Sequence, residues 1–397
     1  MTSCHACSAT GPDCLNTPSN NVAVASQPGM ISFAGGLPAT DALPSIDSVS
    51  IDSASLQYGA SEGDQAFRKY VANDLQQRGF DVDENRVLIV SGSQQGIDLV
   101  AKLIVEQGTR VAVESPTYLA ALQVFTLFGA QYVPFSIDAL QSEVPGVTLE
   151  DVLDSELLYT NPTFQNPSST VYTSTQRRTL ATLCDDEEIL LFEDDPYREL
   201  YYESCDRQPV CSMLRRTSWV YQSSFSKTIA PGLRLGYLTC SANLYPHLLK
   251  LKQAADLHSN RISQSLLLTL VNDPLDSLRL QEARASYRAK RDSFNSLLHQ
   301  YFDSLATWEV PVGGLFYWLT LKTPVPIDTR LLLQDAIDAG VAFMPGEPFF
   351  IDSTQAKGHL RLNFSHAPVE LFEQGLAQLS SIIATACQQA ADSCQKP

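Results

Sequence analysis

The stretch that decides the fold is SSFSKTIAPGLRLG, residues 223–236. It follows a predicted buried strand at 219–223, so Lys227 lies in a turn at the carboxyl end of that strand. A lone lysine in such a turn is usually solvated, but here hydroxyl side chains flank it and Arg234 follows in a tight, glycine-containing turn. Two cations and small hydroxyls around a glycine turn suit a phosphate group. A partly desolvated lysine beside another cation has a pKa below its reference of ~10.4, which makes it a nucleophile able to form a Schiff base.

Strand and helix patterns alternate on both sides of this stretch. The predicted strands are 87–91, 110–114, 130–135, 156–160, 188–194, 219–223 and 235–240. Helical patterns between them cover 95–107, 116–128 and 173–184. This alternation predicts an α/β fold in which a mainly parallel, seven-stranded sheet lies between helices.

Polar segments fall at the carboxyl ends of these strands, where ligands bind in sheets of this kind. The segments are 91–94, 161–166, 194–197 and 223–227. The first begins a helix, and backbone N–H groups at a helix N-terminus bind anions, although Ser-Gly is also an ordinary cap. The two Asn-Pro steps in 161–167 could equally mark a simple turn.

Asp194 ends a buried strand, where a carboxylate is costly without a cationic partner. Two interpretations stay open from the residues alone. The carboxylate caps a helix or forms a salt bridge, or it pairs with a protonated ring nitrogen of a cofactor.

The pattern changes near residue 275. A long charged helix is predicted at 278–302, strands at 308–312, 315–321 and 360–364, and helices at 327–339 and 370–388. These elements predict a smaller α+β domain. We therefore expect an N-terminal arm at 1–39 that packs with the small domain, a large domain at 40–275 and a C-terminal small domain at 276–397.

Composition limits the partners. The chain of 397 residues has 27 Lys and Arg against 44 Asp and Glu, a formal net charge of −17. Such an acidic surface argues against DNA or RNA as a partner. The N-terminus has no secretory signal pattern, and no apolar run approaches the ~20 residues that span a bilayer. The sequence thus predicts a cytoplasmic protein without a membrane partner.

Three cysteines, Cys4, Cys7 and Cys14, cluster near the N-terminus. A metal site would need a fourth ligand at a fitting spacing, and none is present. We interpret the cluster as a thiol-bearing tail and expect no metal.

Taken in order, nine segments resemble the class I and II aminotransferases of fold type I. They are 31–38 (ISFAGGLP), 56–63 (LQYGASEG), 91–96 (SGSQQG), 114–118 (ESPTY), 159–167 (YTNPTFQNP), 193–197 (EDDPY), 224–236 (SFSKTIAPGLRLG), 345–350 (PGEPFF) and 360–364 (LRLNF). Each motif is of moderate specificity, but together they span nearly the whole chain. The resemblance is strongest to the branch that contains the α-aminoadipate and kynurenine aminotransferases.

The resemblance implies pyridoxal 5′-phosphate (PLP) as the cofactor and a role for each matching residue. Lys227 carries the cofactor and shuttles the proton, Asp194 keeps the pyridine nitrogen protonated, and Tyr197 and Asn166 hydrogen-bond the cofactor's 3′-oxygen. The implied cofactor-binding set is Tyr58, Ser93, Gln94, Tyr118, Asn166, Asp194, Tyr197, Ser224, Ser226, Lys227 and Arg234. Tyr58 would reach the phosphate of the neighbouring subunit, which implies a homodimer.

The implied substrates are an L-amino acid and a 2-oxo acid such as 2-oxoglutarate or pyruvate, exchanged by a ping-pong mechanism. Arg361 would clamp the substrate α-carboxylate as a bidentate fork, with Asn166 and Gly36 beside it. An aromatic, aliphatic or aminoadipate-like side chain fits the resemblance. Relatives in this branch often carry an arginine before the ISFAGGLP-like motif for acidic side chains, whereas residues 1–30 here contain no Arg or Lys. Arg261 could bind a substrate acid group or be an ordinary surface arginine.

Two other function classes are compatible with parts of the pattern. A PLP-dependent lyase, decarboxylase or biosynthetic synthase would use the same cofactor site, because fold does not fix function. A regulator that senses an effector would need a basic DNA-binding domain, and the residues before the fold are not basic.

Overall fold

A computed structural model describes residues 29–46, 52–138, 149–352 and 355–394 of the chain. The strands in chain order are β1 (Ile31–Ser32), β2 (Val87–Val90), β3 (Arg110–Glu114), β4 (Gln131–Phe135), β5 (Leu157–Thr160), β6 (Leu190–Asp194), β7 (Trp219–Ser224), β8 (Gly236–Cys240), β9 (Ala306–Trp308), β10 (Phe316–Leu321), β11 (Val341–Ala342), β12 (Met344–Pro345) and β13 (His359–Asn363). The α-helices are α1 (Gln65–Gln77), α2 (Ser93–Ile104), α3 (Leu119–Leu127), α4 (Leu149–Leu153), α5 (Ser174–Glu187), α6 (Tyr245–Asp256), α7 (Arg261–Val271), α8 (Asp276–Phe302), α9 (Leu333–Asp338) and α10 (Phe372–Cys394).

The largest sheet has seven strands in the order β2-β8-β7-β6-β5-β3-β4. Its neighbours pair in parallel except β8, which is antiparallel to both β7 and β2. The predicted α/β architecture with a mainly parallel sheet is therefore confirmed. Only residues 225–235 connect β7 to β8, and a parallel pairing would need a longer crossover. This direct return of the chain forms the turn that carries Lys227.

The sheet is buried on both faces, which explains its near-continuous apolar strands. Every residue of β2 and β5 is buried. One face packs against a core that includes Phe67, Leu180 and Leu267. The opposite face packs against a core that includes Phe125 and other apolar residues of the helices α2, α3 and α6.

The smaller layer contains the four-stranded sheet β12-β13-β10-β9 and the helices α8 and α10. Ile31 and Phe33 of the N-terminal arm belong to its core, together with Phe294, Phe316 and Phe372. This packing supports the proposal that the arm joins the small domain. The exact bounds 1–39, 40–275 and 276–397 remain a proposal, and Cys4, Cys7 and Cys14 lie outside the described residues.

The predicted strand at 308–312 is wrong in its bounds, because β9 ends at Trp308. The backbone beyond it bonds to another segment: Val312 O accepts from Tyr202 N at 2.8 Å, and Gly314 N donates to Leu200 O at 2.8 Å. Gly314 has a φ of +78°, and a Cβ on Gly313 would lie 2.3 Å from the Phe164 ring. Because these two residues lack side chains, the backbone of the small domain can pack directly against Phe164, in the loop that carries Asn166.

Some predicted helices begin later than their sequence pattern. The helix predicted at 116–128 begins at Leu119, and the one predicted at 327–339 is a 3-10 turn at Thr329–Leu332 followed by α9. Within the ranges that the structure describes, no helix is long and apolar enough to cross a membrane.

Arg177 of α5 anchors the loop after β5. Its side chain is fully buried, and its guanidinium donates to the carbonyls of Pro162 (2.9 Å) and Tyr172 (3.0 Å) and to Thr163 Oγ1 (2.9 Å). Further bonds reach carbonyls at positions 206 and 208. One side chain therefore fixes the backbone that presents Asn161 and Asn166.

Arg177→Met should lower the free energy of unfolding by about 3 kcal/mol, because several buried carbonyls lose their partner. Arg178→Met is the matched control: this neighbouring arginine makes an exposed contact to Thr175, and its loss should change stability by less than about 0.5 kcal/mol. Urea unfolding followed by circular dichroism measures both. Equal effects of the two substitutions would contradict the anchoring role.

Candidate active site

A cavity of about 450 Å³ lies at the carboxyl ends of the sheet strands, between the large sheet, the residues 34–37 and the small domain. Its lining contains twelve of the predicted site residues: Gly36, Ser93, Gln94, Tyr118, Asn166, Asp194, Tyr197, Ser224, Ser226, Lys227, Arg234 and Arg361. These residues come from positions far apart in the sequence. The fold thus brings together every residue of the predicted set except Tyr58.

Lys227 lines this cavity from the turn after β7. Its Nζ donates to the carbonyl of Gly36 at 2.7 Å and lies 5.9 Å from the centre of the Tyr197 ring. Burial lowers the pKa of Lys227 to about 8, and the positive charges of Arg361 and Arg234 act in the same direction. A larger fraction of this amine is therefore neutral, and nucleophilic, near neutral pH than in a solvated lysine.

Asp194 ends β6 at the cavity floor with one carboxylate oxygen satisfied and one not. Tyr159 donates its hydroxyl to Oδ2 at 2.9 Å, while Oδ1 is buried without a hydrogen-bond partner among the described residues. Burial raises the pKa of Asp194 to about 7, although the neighbouring side chains of Gln222 and Tyr159 act to lower it. A ligand with a cationic N–H group would satisfy Oδ1 and favour the charged carboxylate.

An anion cradle lies at the N-terminus of α2, opposite Arg234. Gly92 precedes the helix with a φ of +79°, and a Cβ there would lie 2.5 Å from Arg234 Nη2. Glycine is therefore required both for the backbone conformation and for the close approach of the guanidinium. Ser226 Oγ accepts from Arg234 Nη1 at 3.4 Å and from Ser224 Oγ at 2.9 Å. Helix N–H groups, two hydroxyls and one guanidinium together suit a phosphate.

Arg361 of β13 projects into the other side of the cavity. Its Nη1 donates to Asn166 Oδ1 and its Nη2 to Ala34 O, both at 2.7 Å, and its Nε has no partner among the described residues. The guanidinium carbon lies 4.2 Å from the centre of the Phe316 ring, which adds a cation–π contact. Burial lowers the pKa of Arg361 to about 10, so the group remains a cation at neutral pH. It is a preoriented fork for a carboxylate.

Two phenols complete the wall. Asn166 Nδ2 donates to the Tyr197 hydroxyl at 3.5 Å, and the Tyr118 hydroxyl donates to Gln94 Oε1 at 3.4 Å. Burial raises the pKa of Tyr118 to about 12 and also raises the pKa of Tyr197. Both side chains are neutral hydrogen-bonding groups at physiological pH.

Supporting residues around the cavity were missed from the sequence. Tyr159 orients Asp194, and Phe316 lies beneath Arg361. Glu114 accepts from Tyr172 at 2.5 Å and from the backbone N–H of Asn161 at 2.9 Å, so it fixes the start of the Asn-Pro loop. The alternation of strands and helices indicates that Tyr159 and Asp194 lie on buried strands of the same sheet. Nothing in the residues next to either one indicates that their side chains form a hydrogen bond.

Tyr58 lies away from the cavity of its own chain. Its side chain is 77% exposed, and its ring meets that of His258 edge-on at 5.8 Å. Arg261 Nη1 donates to the carbonyls of Gln57 at 2.7 Å and Tyr58 at 3.2 Å. Arg261 thus holds the backbone of the segment that carries Tyr58.

The chain matches known proteins over most of its length. The family model described as aminotransferase class I and II matches residues 29–379. Aromatic-amino-acid aminotransferase 1 of Thermococcus litoralis is 32% identical over 372 residues, which cover 89% of this chain and 88% of that protein.

Two solved structures are similar over nearly the whole chain. One is the α-aminoadipate aminotransferase LysN of Thermus thermophilus, complexed with N-(5′-phosphopyridoxyl)-L-leucine (TM-score 0.80, 29% identity, 91% of this chain and 94% of that one). The other is the kynurenine aminotransferase of Pyrococcus horikoshii in complex with PMP (TM-score 0.82, 28% identity, 95% and 97%).

The surroundings of Lys227 predict how its reactivity depends on pH. In the cofactor-free protein, acylation of Lys227 should rise with pH with a midpoint near 8, because only the neutral amine reacts. Removing one neighbouring cation by Arg361→Met should move the midpoint upward. Brief treatment with acetic anhydride, followed by mass spectrometry of the Lys227 peptide, measures both. A midpoint near the reference value of ~10.4 would show that burial and the arginines have no effect.

Proposed function

We propose roles for the cavity residues from an established premise: the chain belongs to the class I and II aminotransferases, and it is a PLP-dependent aminotransferase of fold type I. When bound, PLP supplies an electron-withdrawing ring for the charge left at Cα after proton removal, and it carries the amino group between two half-reactions. The residues of the chain bind, orient and move protons around it.

Three features of the cavity support PLP as the group that it holds. Asp194 Oδ1 is buried and lacks a partner among the described residues, as expected for a carboxylate that receives a pyridinium N–H. The cradle between α2 and Arg234 provides phosphate donors. Lys227 is a partly buried amine with a lowered pKa in the lining of the same cavity.

The proposed cofactor contacts follow from these positions. Asp194 holds a proton on the ring nitrogen, Tyr118 covers the ring, and Tyr197 and Asn166 donate to the 3′-oxygen. Ser93, Gln94, Ser224, Ser226 and Arg234 bind the phosphate.

Lys227 and Arg361 are proposed to act on the substrate. Arg361 binds the α-carboxylate, because its fork is already oriented by Asn166 and the Ala34 carbonyl. The amine of Lys227 would take the proton from the substrate Cα and deliver it to C4′ of the cofactor, two bonds away. Gly36 is proposed to let the substrate approach the backbone beside Lys227, whose Nζ donates to the Gly36 carbonyl at 2.7 Å.

The cavity wall favours an amino donor with a neutral side chain. Its apolar lining comprises Ala34, Leu37, Leu119, Ala120, Pro196, Pro231 and Met344. Its charged lining residues are Asp194, Lys227, Arg234 and Arg361, and each has a role above. The relative from Thermococcus litoralis is named for aromatic amino acids, and the two similar structures are named for α-aminoadipate and kynurenine. We propose an aromatic or aliphatic L-amino acid as the preferred donor, with an aminoadipate-like donor second.

The acceptor is proposed to be a 2-oxo acid such as 2-oxoglutarate or pyruvate. It would bind the same Arg361 after the first oxo acid leaves, which gives ping-pong kinetics. A single carboxylate fork serves both half-reactions.

A homodimer is proposed to complete the site. The exposed side chains of Tyr58 and Leu56 (77% and 73%) lie on a segment held by Arg261. Exposed aromatic and apolar side chains on an ordered segment suit a contact with a second copy. Tyr58 of the partner subunit would then reach the phosphate.

Visible spectra of the PLP-loaded protein test this function, with amino acids added one at a time and no oxo acid present. A phenylalanine- or leucine-type donor should remove the absorption of bound PLP and yield pyridoxamine phosphate and one oxo acid. Lys227→Ala should bind PLP without the absorption band of the lysine Schiff base and slow this half-reaction by about 10³-fold, within the usual contribution of a positioned base.

Lys102→Ala is the control, because Lys102 pairs with Asp98 on the outer part of α2 and should leave the spectrum unchanged. Consumption of the amino acid without pyridoxamine phosphate would contradict transamination. A response to aspartate but not to phenylalanine or leucine would contradict the proposed donor class.

A further inference from the structure

A buried lysine lies behind the phosphate cradle, outside the cavity. The side chain of Lys252, on α6, is 0% exposed. A buried ammonium is costly unless each of its three donors has an acceptor. All three are satisfied: Gln95 Oε1 at 2.7 Å, the Asp256 carboxylate at 2.7 Å and Ser259 Oγ at 2.9 Å.

Each of these acceptors is also bound to the segment that leads into the cradle. Gln95 Oε1 accepts from the backbone N–H of Ser91 at 2.8 Å, and its Nε2 donates to Asp256 Oδ2 at 2.8 Å. Ser91 Oγ donates to the same Asp256 oxygen at 3.2 Å. Ser259 Oγ donates to the carbonyl at position 89, near the end of strand β2, at 3.2 Å.

The network therefore fixes the backbone on both sides of Gly92. Gly92 is the residue whose positive φ turns the chain into α2, and Ser93 and Gln94 follow it into the cavity. The fixed points at positions 89, 91 and 95 leave the intervening N–H groups little freedom. Preorganised backbone donors bind an anion more tightly than mobile ones, because no ordering cost is incurred on binding.

We infer that Lys252, Gln95 and Asp256 form a positioning unit for the phosphate of the cofactor. Lys252 acts as a positioning residue through the backbone of residues 91–94 and does not touch the ligand. This inference rests on the proposed function, in which Ser93, Gln94 and Arg234 hold the phosphate. It deepens that proposal by assigning a role to a buried charge that the reaction itself does not use.

The test compares PLP with pyridoxal, which has the same ring and aldehyde but no phosphate. Absorbance titrations use the full chain stripped of its cofactor. Lys252→Met should raise the dissociation constant for PLP by about tenfold or more, the scale of a weakened charge-assisted hydrogen bond. Its dissociation constant for pyridoxal should change by less than about twofold, because no phosphate contact is involved.

Gln95→Met provides a second variant, since it keeps the paired charges of Lys252 and Asp256 and removes the hydrogen bonds that join them through Gln95 to Ser91. It should show the same selective loss of PLP affinity, in smaller degree. Lys102→Met is the matched control: it removes a lysine that pairs with an aspartate four residues away, on the same helix as Gln95 but on its exposed face. Both affinities should be unchanged in this control.

Arg234→Met separates failure of this inference from failure of the proposed function. Selective PLP loss in Arg234→Met but not in the Lys252 and Gln95 variants would overturn the positioning unit alone. No selective loss in Arg234→Met would overturn the phosphate assignment and the unit with it. Equal loss of PLP and pyridoxal affinity in the Lys252 and Gln95 variants would indicate a general structural defect and would also overturn the inference.

Discussion

The active site depends on the burial of ionisable groups that lack a full set of partners within the described chain. Asp194 is buried at the end of β6, Lys227 is partly buried in the turn after β7, and each has a pKa displaced toward neutrality. Burial of such groups costs stability, so the surrounding fold must supply the compensation. Hydrogen bonds that fix the surrounding loops supply part of this compensation. The clearest example is the loop after β5, whose carbonyls accept hydrogen bonds from Arg177.

The same constraint explains the polarity of the cavity. The carboxyl ends of the parallel strands converge, and the antiparallel return of β8 places Lys227 and Arg234 on one short connection. The small domain then contributes Arg361 from β13, above the ring of Phe316. The cavity thus holds the cations Lys227, Arg234 and Arg361 and the carboxylate of Asp194. This set suits a ligand that carries a cationic ring, a phosphate and a carboxylate. A PLP-dependent aminotransferase works on such a combination.

Much of this arrangement could be predicted from sequence because it is local. The turn around Lys227, the aspartate that ends a buried strand and the glycine before α2 are each encoded within a few residues. Contacts that depend on distant segments could not be predicted. Tyr159 on β5 donates a hydrogen bond to Asp194 on the adjacent strand β6, and Lys252 donates one to Gln95 from a position 157 residues away. The strand bounds near Gly313 were wrong for the same reason, since the backbone there bonds to residues 200–203.

The central claim is that Asp194 keeps a proton on the ring nitrogen of PLP. Nitrogen-15 NMR of the protein loaded with ring-labelled PLP reports that proton directly. We expect a protonated nitrogen in the natural protein at neutral pH and an unprotonated one in Asp194→Asn, which keeps the shape of the side chain but removes its charge. A nitrogen that is unprotonated in the natural protein, or that stays protonated in Asp194→Asn, would contradict the account.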